Sequence, residues 1–143
     1  MNKILSISII SDDDSWINDY IPYFIKKTEK RHHKVTWIHE MKEVPSGDIC
    51  ILLGCSQLMN ENIRNKNKNN IVVHESALPE GKGWSPLTWQ ILEGKNIIPI
   101  TLFEAEKEID SGEVYLQEKM IFEGHELINK IRDVQAQYSF DLC

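Results

Sequence analysis

The sequence is poor in features that would place it in several large classes. It has three cysteines, Cys50, Cys55 and Cys143. An odd count without paired zinc-type spacing argues for free thiols in a reducing compartment, not a disulfide framework. No apolar run approaches the ~20 residues a membrane-spanning helix needs, so no membrane partner and a cytoplasmic location are expected. Positive charge is in the minority: 16 lysines and arginines face 22 aspartates and glutamates, a formal charge of −6. Such a surface does not attract a phosphate backbone over long range, so nucleic acid is not an expected partner. There is no HExxH helix, no CxxC pair and no Walker-type glycine loop, so no metal site is expected and P-loop chemistry has no support. There is also no internal repeat and no linker. The 143 residues read as a single domain, long enough to bury a core without staples.

The start, Met1-Asn2-Lys3 followed by Ile4 to Ile10, imitates a leader peptide. It lacks a small-residue cleavage site and runs straight into Asp12-Asp13-Asp14, so a first strand is the better reading. Trp16, Ile17, Tyr20, Ile21, Phe24 and Ile25 repeat at helical spacing. Pro22 requires that the helix begin near it or that a segment from Ser15 bend there. Val35 to Ile38 reads as a second strand. Asp48 to Leu53, nearly all apolar, reads as a central third strand that ends in a tight turn at Gly54-Cys55-Ser56. A short helix is expected over Asn60 to Lys66, followed by a polar, surface-exposed stretch from Lys66 to Asn70. Ile97 to Phe103 and Val114 to Phe122 are two β-type runs. The loop between them is too short for a crossover helix, so that pair is expected to be antiparallel. Leu127, Ile128, Ile131 and Val134 form one stripe of a final helix. The expected fold is an α/β Rossmann-like open sheet, mostly parallel with an antiparallel C-terminal strand pair, and helices on both faces.

The rest of the chain is organised around His74 to Leu92. A short strand, Ile71-Val72-Val73, delivers His74 and Glu75. A loop with Pro79, Gly81 and Gly83 follows, and a helix opens at Ser85-Pro86, with Ser85 as N-cap, and stops at Gly94. Open α/β sheets bind ligands at the carboxyl ends of their strands. A histidine there can move protons near neutral pH, although a strand-end histidine satisfied by a backbone carbonyl is the common plain alternative. Asp110, in Asp110-Ser111-Gly112, is a second candidate acid or an ordinary turn aspartate. Cys55 reads better as a core thiol than as a nucleophile. His32 and His33 read as solvated helix-end residues, and His125 as a surface residue starting a helix. Asp12 to Asp14 read as an acidic loop and helix cap before a metal site.

These residues carry a resemblance. His74-x-Ser76-x-Leu78-Pro79, then Gly81 to Gly83, Ser85-Pro86 opening a helix, Ile100 to Phe103, and Asp110-Ser111-Gly112-Glu113-Val114 together resemble the catalytic domain of the formyltransferases that use N10-formyltetrahydrofolate. The close match covers residues 70–122. The resemblance implies His74 and Asp110 as the catalytic pair. It places the donor N10-formyltetrahydrofolate near Leu53, Gly54, Cys55, Ser56, Leu102 and Phe103. It assigns Ser76, Pro79, Gly83 and Trp84 to the acceptor side, where Trp84 stacks a ring or simply packs at the helix start. The implied acceptor is a small-molecule amine, preferably a nucleotide-linked amino sugar. A glycinamide ribonucleotide-type acceptor, or a non-catalytic or partner-completed folate- or nucleotide-binding module, is the alternative, and a homodimer is allowed for. One departure stands out. The family carries a catalytic Asn two residues before the His, and this chain has Val72. Asn70 is a further ~7 Å back along the strand, which leaves Ser56 or Gln57 to supply the missing donor, or an impaired reaction.

Overall fold

The structure, a computed structural model, describes residues 3–143. Met1 and Asn2, where the leader-like segment begins, lie outside the described residues. The chain forms two compact units, Met1–Val72 and Val73–Cys143.

In the first unit, β1 (Ser6–Ile10) lies between β2 (Lys34–Ile38) and β3 (Gly47–Leu52), parallel to both. β3 pairs in parallel with β4 (Asn67–His74), with Ile51 opposite Ile71 and Leu52 opposite Val72. Ile7, Ile9 and Ile10 of β1 are all buried, as are Cys50, Ile51 and Leu52 of β3. Neighbours pointing to both faces are buried, the polar Ser8 among them, as in strands covered on both sides. One face packs Ile10, Met41, Val44, Cys50, Leu52, Met59 and Ile63 together, with Ile38, Cys55 and Val72 against them.

Pro22 resolves into both of its sequence alternatives. A 3-10 turn, Trp16–Asp19, precedes α1 (Ile21–Glu29), and Pro22 sits in the first turn of α1. There its missing N–H removes no helical hydrogen bond. Asn60 caps α2 (Glu61–Arg64) by accepting the Ile63 N–H at 3.0 Å.

The expectation of an exposed polar stretch at 66–70 holds for Lys68 and Asn69, which are exposed, and fails at its two ends. β4 begins at Asn67, and Asn67 and Asn70 are buried. Their amide nitrogens donate to the carbonyls of Pro45 at 3.0 Å and Arg64 at 2.9 Å. Composition registers polarity, whereas burial depends on whether the polar atoms find partners.

The second unit contains α3 (Pro86–Leu92), β5 (Ile97–Glu104), β6 (Val114–Ile121) and α4 (Ile128–Leu142). β5 and β6 are antiparallel as expected, with a register break between Leu102 and Phe103. Gly94 follows α3 at φ +78°, the left-handed stop the sequence called for. Ser85 is not the side-chain cap expected of it. It sits at φ 53° and makes no capping hydrogen bond, so Pro86, with its preset φ, starts the helix. The stripe through α4 is covered only in part, with Ile131 and Val134 half-buried. Leu127 and Ile128 are exposed, whereas Ala136, Ser139, Phe140 and Leu142 are buried. Periodicity locates a stripe, but packing decides which part of it is covered. His125 precedes α4 and pairs with Glu123 at 3.2 Å in solvent.

The sheet order is β2-β1-β3-β4-β5-β6. This is the open, mostly parallel α/β sheet with an antiparallel C-terminal pair that the sequence predicts. Among the described residues no helix is long and apolar enough to cross a membrane.

Candidate functional site

His74 is the last residue of β4, so the strand itself delivers the ring to the sheet's carboxyl edge. The chain turns at once, with the Ser76 N–H donating to the His74 carbonyl at 3.0 Å. The ring stands edge-on to Phe103, with centroids 6.4 Å apart and planes at 86°. Its Nε2 is 2.9 Å from the Gly81 carbonyl oxygen and 3.6 Å from Asp110 Oδ2. A carbonyl can only accept, so the Nε2 that faces it carries a hydrogen. The His74 and Asp110 side chains are each 9% exposed. Desolvation of this degree strengthens their electrostatic coupling.

The glycine loop closes over the pair. Gly81 supplies the carbonyl to His74, and the Gly83 N–H donates to Asp110 Oδ2 at 2.9 Å. A Cβ on Gly81 would fall 2.8 Å from the Ser76 Cβ, so only glycine lets the loop come this near. Asp110 adopts φ 53°, an uncommon conformation for a non-glycine residue and one often found at functional positions. Gly112 makes the next bend: a Cβ there would lie 1.6 Å from the Glu104 carbonyl oxygen. Ser111 bonds the Glu108 carbonyl at 2.8 Å. Each residue of the Asp-Ser-Gly bend thus has its own task.

Ser76 is buried, and its Oγ has no hydrogen-bond partner within the protein, a buried hydroxyl beside the histidine that a ligand could engage. Pro79 follows a cis peptide and is exposed, and Trp84 is 61% exposed. Phe103 is buried against the histidine. Leu102 is buried too, but successive strand residues point to opposite faces, so the two side chains do not wall one hollow.

Sequence reasoning missed the residues that hold this segment. Gln90 of α3 donates to the Glu75 carbonyl at 2.6 Å. Gln135 of α4 bonds the Glu75 carboxylate. Thr101 of β5 donates to the Ser76 carbonyl at 2.6 Å. Burial raises the Glu75 carboxyl above its ordinary value, only partly offset by the Gln135 hydrogen bond. The available signal was polar residues within otherwise apolar periodic segments.

Leu53, Gly54, Cys55 and Ser56 lie in the first unit. The Leu53 side chain is core. Gly54 is needed where it is, since a Cβ would meet Ser15 Oγ at 2.2 Å. Burial pushes the Cys55 thiol up to about 11, so it is protonated at neutral pH and a poor nucleophile. Asp12 accepts the Ser56 N–H at 2.8 Å. Burial acts to raise its pKa, but hydrogen bonds from Ser56 and Gln57 outweigh this and hold it below the ordinary carboxylate value. Asp12 therefore acts as the organiser of this loop. Gln57 does not offer a free amide. Its Nε2 donates to the His39 carbonyl at 2.7 Å and Asp12 at 3.4 Å, and its Oε1 accepts the Met41 N–H at 2.9 Å. Val72 packs against the apolar cluster of the first unit.

Fold and site together define an open-sheet α/β protein with a buried histidine–carboxylate pair at the end of a strand. The chain belongs to the formyl transferase family, whose pattern matches residues 9–137. It is 30% identical over 129 residues to a methionyl-tRNA formyltransferase of Sulfurihydrogenibium sp. (strain YO3AOP1), across 79% of this chain and 40% of that protein. Methionyl-tRNA formyltransferase from Clostridium thermocellum shares its fold with a TM-score of 0.78 at 21% identity, over 96% of this chain and 62% of that one. HypX from Aquifex aeolicus in complex with tetrahydrofolic acid gives 0.74 at 19% identity, over 98% of this chain and 26% of that one. The chain spans about two fifths of the length of the first of these relatives.

Proposed function

We propose that the chain transfers a formyl group from N10-formyltetrahydrofolate to the primary amine of a small acceptor. The observation that carries this reading is the 3.6 Å approach of His74 Nε2 to Asp110 Oδ2 with both side chains nearly buried. As the amine nitrogen attacks the formyl carbon, the carbonyl oxygen gains charge and the nitrogen becomes an ammonium. His74 then serves as hydrogen-bond donor or acid to the oxyanion. Asp110 orients the ring and helps relay the amine proton to N10, and the bond from the formyl carbon to N10 breaks to release tetrahydrofolate. The donor side of the proposal rests on Phe103, whose ring stands edge-on to His74.

For the acceptor we favour an amino sugar carried on a nucleotide, handled in the cytoplasm. Ser76 Oγ lacks a partner, and Trp84 follows Gly83 and presents a ring to solvent. These would serve a hydroxylated ring and a base. A charge of −6 opposes a polyanion on this chain. A second reading, aminoacyl-tRNA as acceptor, draws on the activity named for the Sulfurihydrogenibium relative. A third, folate binding without turnover, draws on Val72, which brings no hydrogen-bond donor to its position.

The test offers N10-formyltetrahydrofolate with nucleotide-linked amino sugars, glycinamide ribonucleotide and charged tRNA, and follows release of tetrahydrofolate. Formylation of one amine, abolished in His74→Ala, is expected. Folate binding with no turnover for any amine, unchanged in His74→Ala, would falsify the enzyme reading.

A further inference from the structure

Thr101 is a hydroxyl in the middle of an apolar strand, 0% exposed between Ile100 and Leu102. Burying a hydroxyl is unfavourable unless its hydrogen-bonding capacity is used. Here both roles are filled. Oγ1 donates to the Ser76 carbonyl at 2.6 Å and accepts from Gln117 Nε2, on β6, at 2.8 Å. The direction is forced. The Ser76 carbonyl can only accept, so it takes the Thr101 hydrogen, and Gln117 must turn its amide nitrogen toward the remaining lone pair. Threonine is also stiff at χ1, so the hydroxyl cannot easily swing away.

Two residues along the same face, Phe103 meets the His74 ring edge-on. β5 thus holds the turn after β4 at two points, the main chain through Thr101 and the ring through Phe103. The Ser76 N–H closes the turn onto the His74 carbonyl at 3.0 Å. Loss of the Thr101 hydroxyl would leave the Ser76 carbonyl without this donor and let the 74–76 turn relax.

We propose that Thr101, oriented by Gln117, is a positioning residue for His74. It fixes the 74–76 turn so that Nε2 faces the Gly81 carbonyl and Asp110. The importance of this for turnover rests on the formyl-transfer reading, but the positioning itself can be read without any reaction.

The test is nitrogen NMR of the histidine rings in the full chain, with His74 identified by the signal missing in His74→Gln. Wild type and Thr101→Ser are expected to show a single Nε2–H tautomer with a slowly exchanging ring hydrogen. Thr101→Val, which keeps the shape and loses the hydroxyl, is expected to show averaged tautomers and fast exchange. Gln117→Leu should show a weaker version of the same change and serves if Thr101→Val does not fold. With a turned-over amine in hand, Thr101→Val should lower kcat by roughly 10–100-fold with little change in donor KM, and Thr101→Ser should restore it. His74 signals identical to wild type in a folded Thr101→Val and in Gln117→Leu would overturn the proposal. Altered ring signals with no formyl transfer by wild type would uphold the positioning and remove the formyl-transfer reading alone.

Discussion

Asp110 Oδ2 takes the Gly83 amide hydrogen at 2.9 Å from a backbone held at φ 53°. The same oxygen faces His74 Nε2. One carboxylate therefore anchors the glycine loop and polarises the ring, and it does both from a conformation that most residues avoid.

The backbone strain and the chemistry at this position can be separated. Asp110→Ala and Asp110→Gly both delete the carboxylate, but only glycine accepts positive φ without cost. Asp110→Gly is expected to be more stable than Asp110→Ala by ~1 kcal/mol, with both far less active. Urea unfolding checks the order. Equal stability would show that the left-handed conformation is not maintained in solution.

Gly112 carries no chemistry and is expected to be intolerant. A methyl group would collide with the Glu104 carbonyl oxygen at 1.6 Å, and backbone cannot move aside as a flexible side chain does. Gly112→Ala should cost at least ~1–3 kcal/mol and move the bend that presents Asp110. A thermal melt within a degree of wild type would contradict this.

Val72 tests the missing donor. It and His74 share one face of β4, and its side chain packs on an apolar cluster. Val72→Asn is predicted to raise the formyl-transfer rate by ~10²–10³, the usual worth of one oxyanion donor. It should also lower stability by ~1–3 kcal/mol through burial of an amide. Single-turnover kinetics on folded protein decide it. A rate equal to wild type would mean that position 72 is not where the oxyanion forms.

Glu75 links stability to pH. Burial raises its pKa in the folded chain above the unfolded value. Between those two values the folded state holds the extra proton, so stability is full below the unfolded pKa and falls as pH rises through the folded one. Glu75→Gln preserves an acceptor for Gln135 and removes the titration. The variant is expected to match wild type near pH 4 and exceed it at pH 8, by denaturant midpoints. The same slope in both proteins would reject the assignment.

The sequence by itself determined the strand order along the chain, the antiparallel last pair, the glycine stop after α3 and the strand–loop–helix from Ile71 to Leu92. These follow from hydrogen-bonding limits and side-chain periods that act over a few neighbouring residues. It also marked His74, Ser76, Gly83 and Asp110 as one pattern, but it left open whether ring and carboxylate would meet. Only the tertiary structure decided that they do. It likewise decided that Asn67 and Asn70 are buried, that α4 covers its C-terminal half, that Gln57 is already engaged, and that Thr101 grips the turn beside the histidine. Each of these depends on which distant carbonyl or amide lies within ~3 Å, and a linear pattern carries no record of that distance.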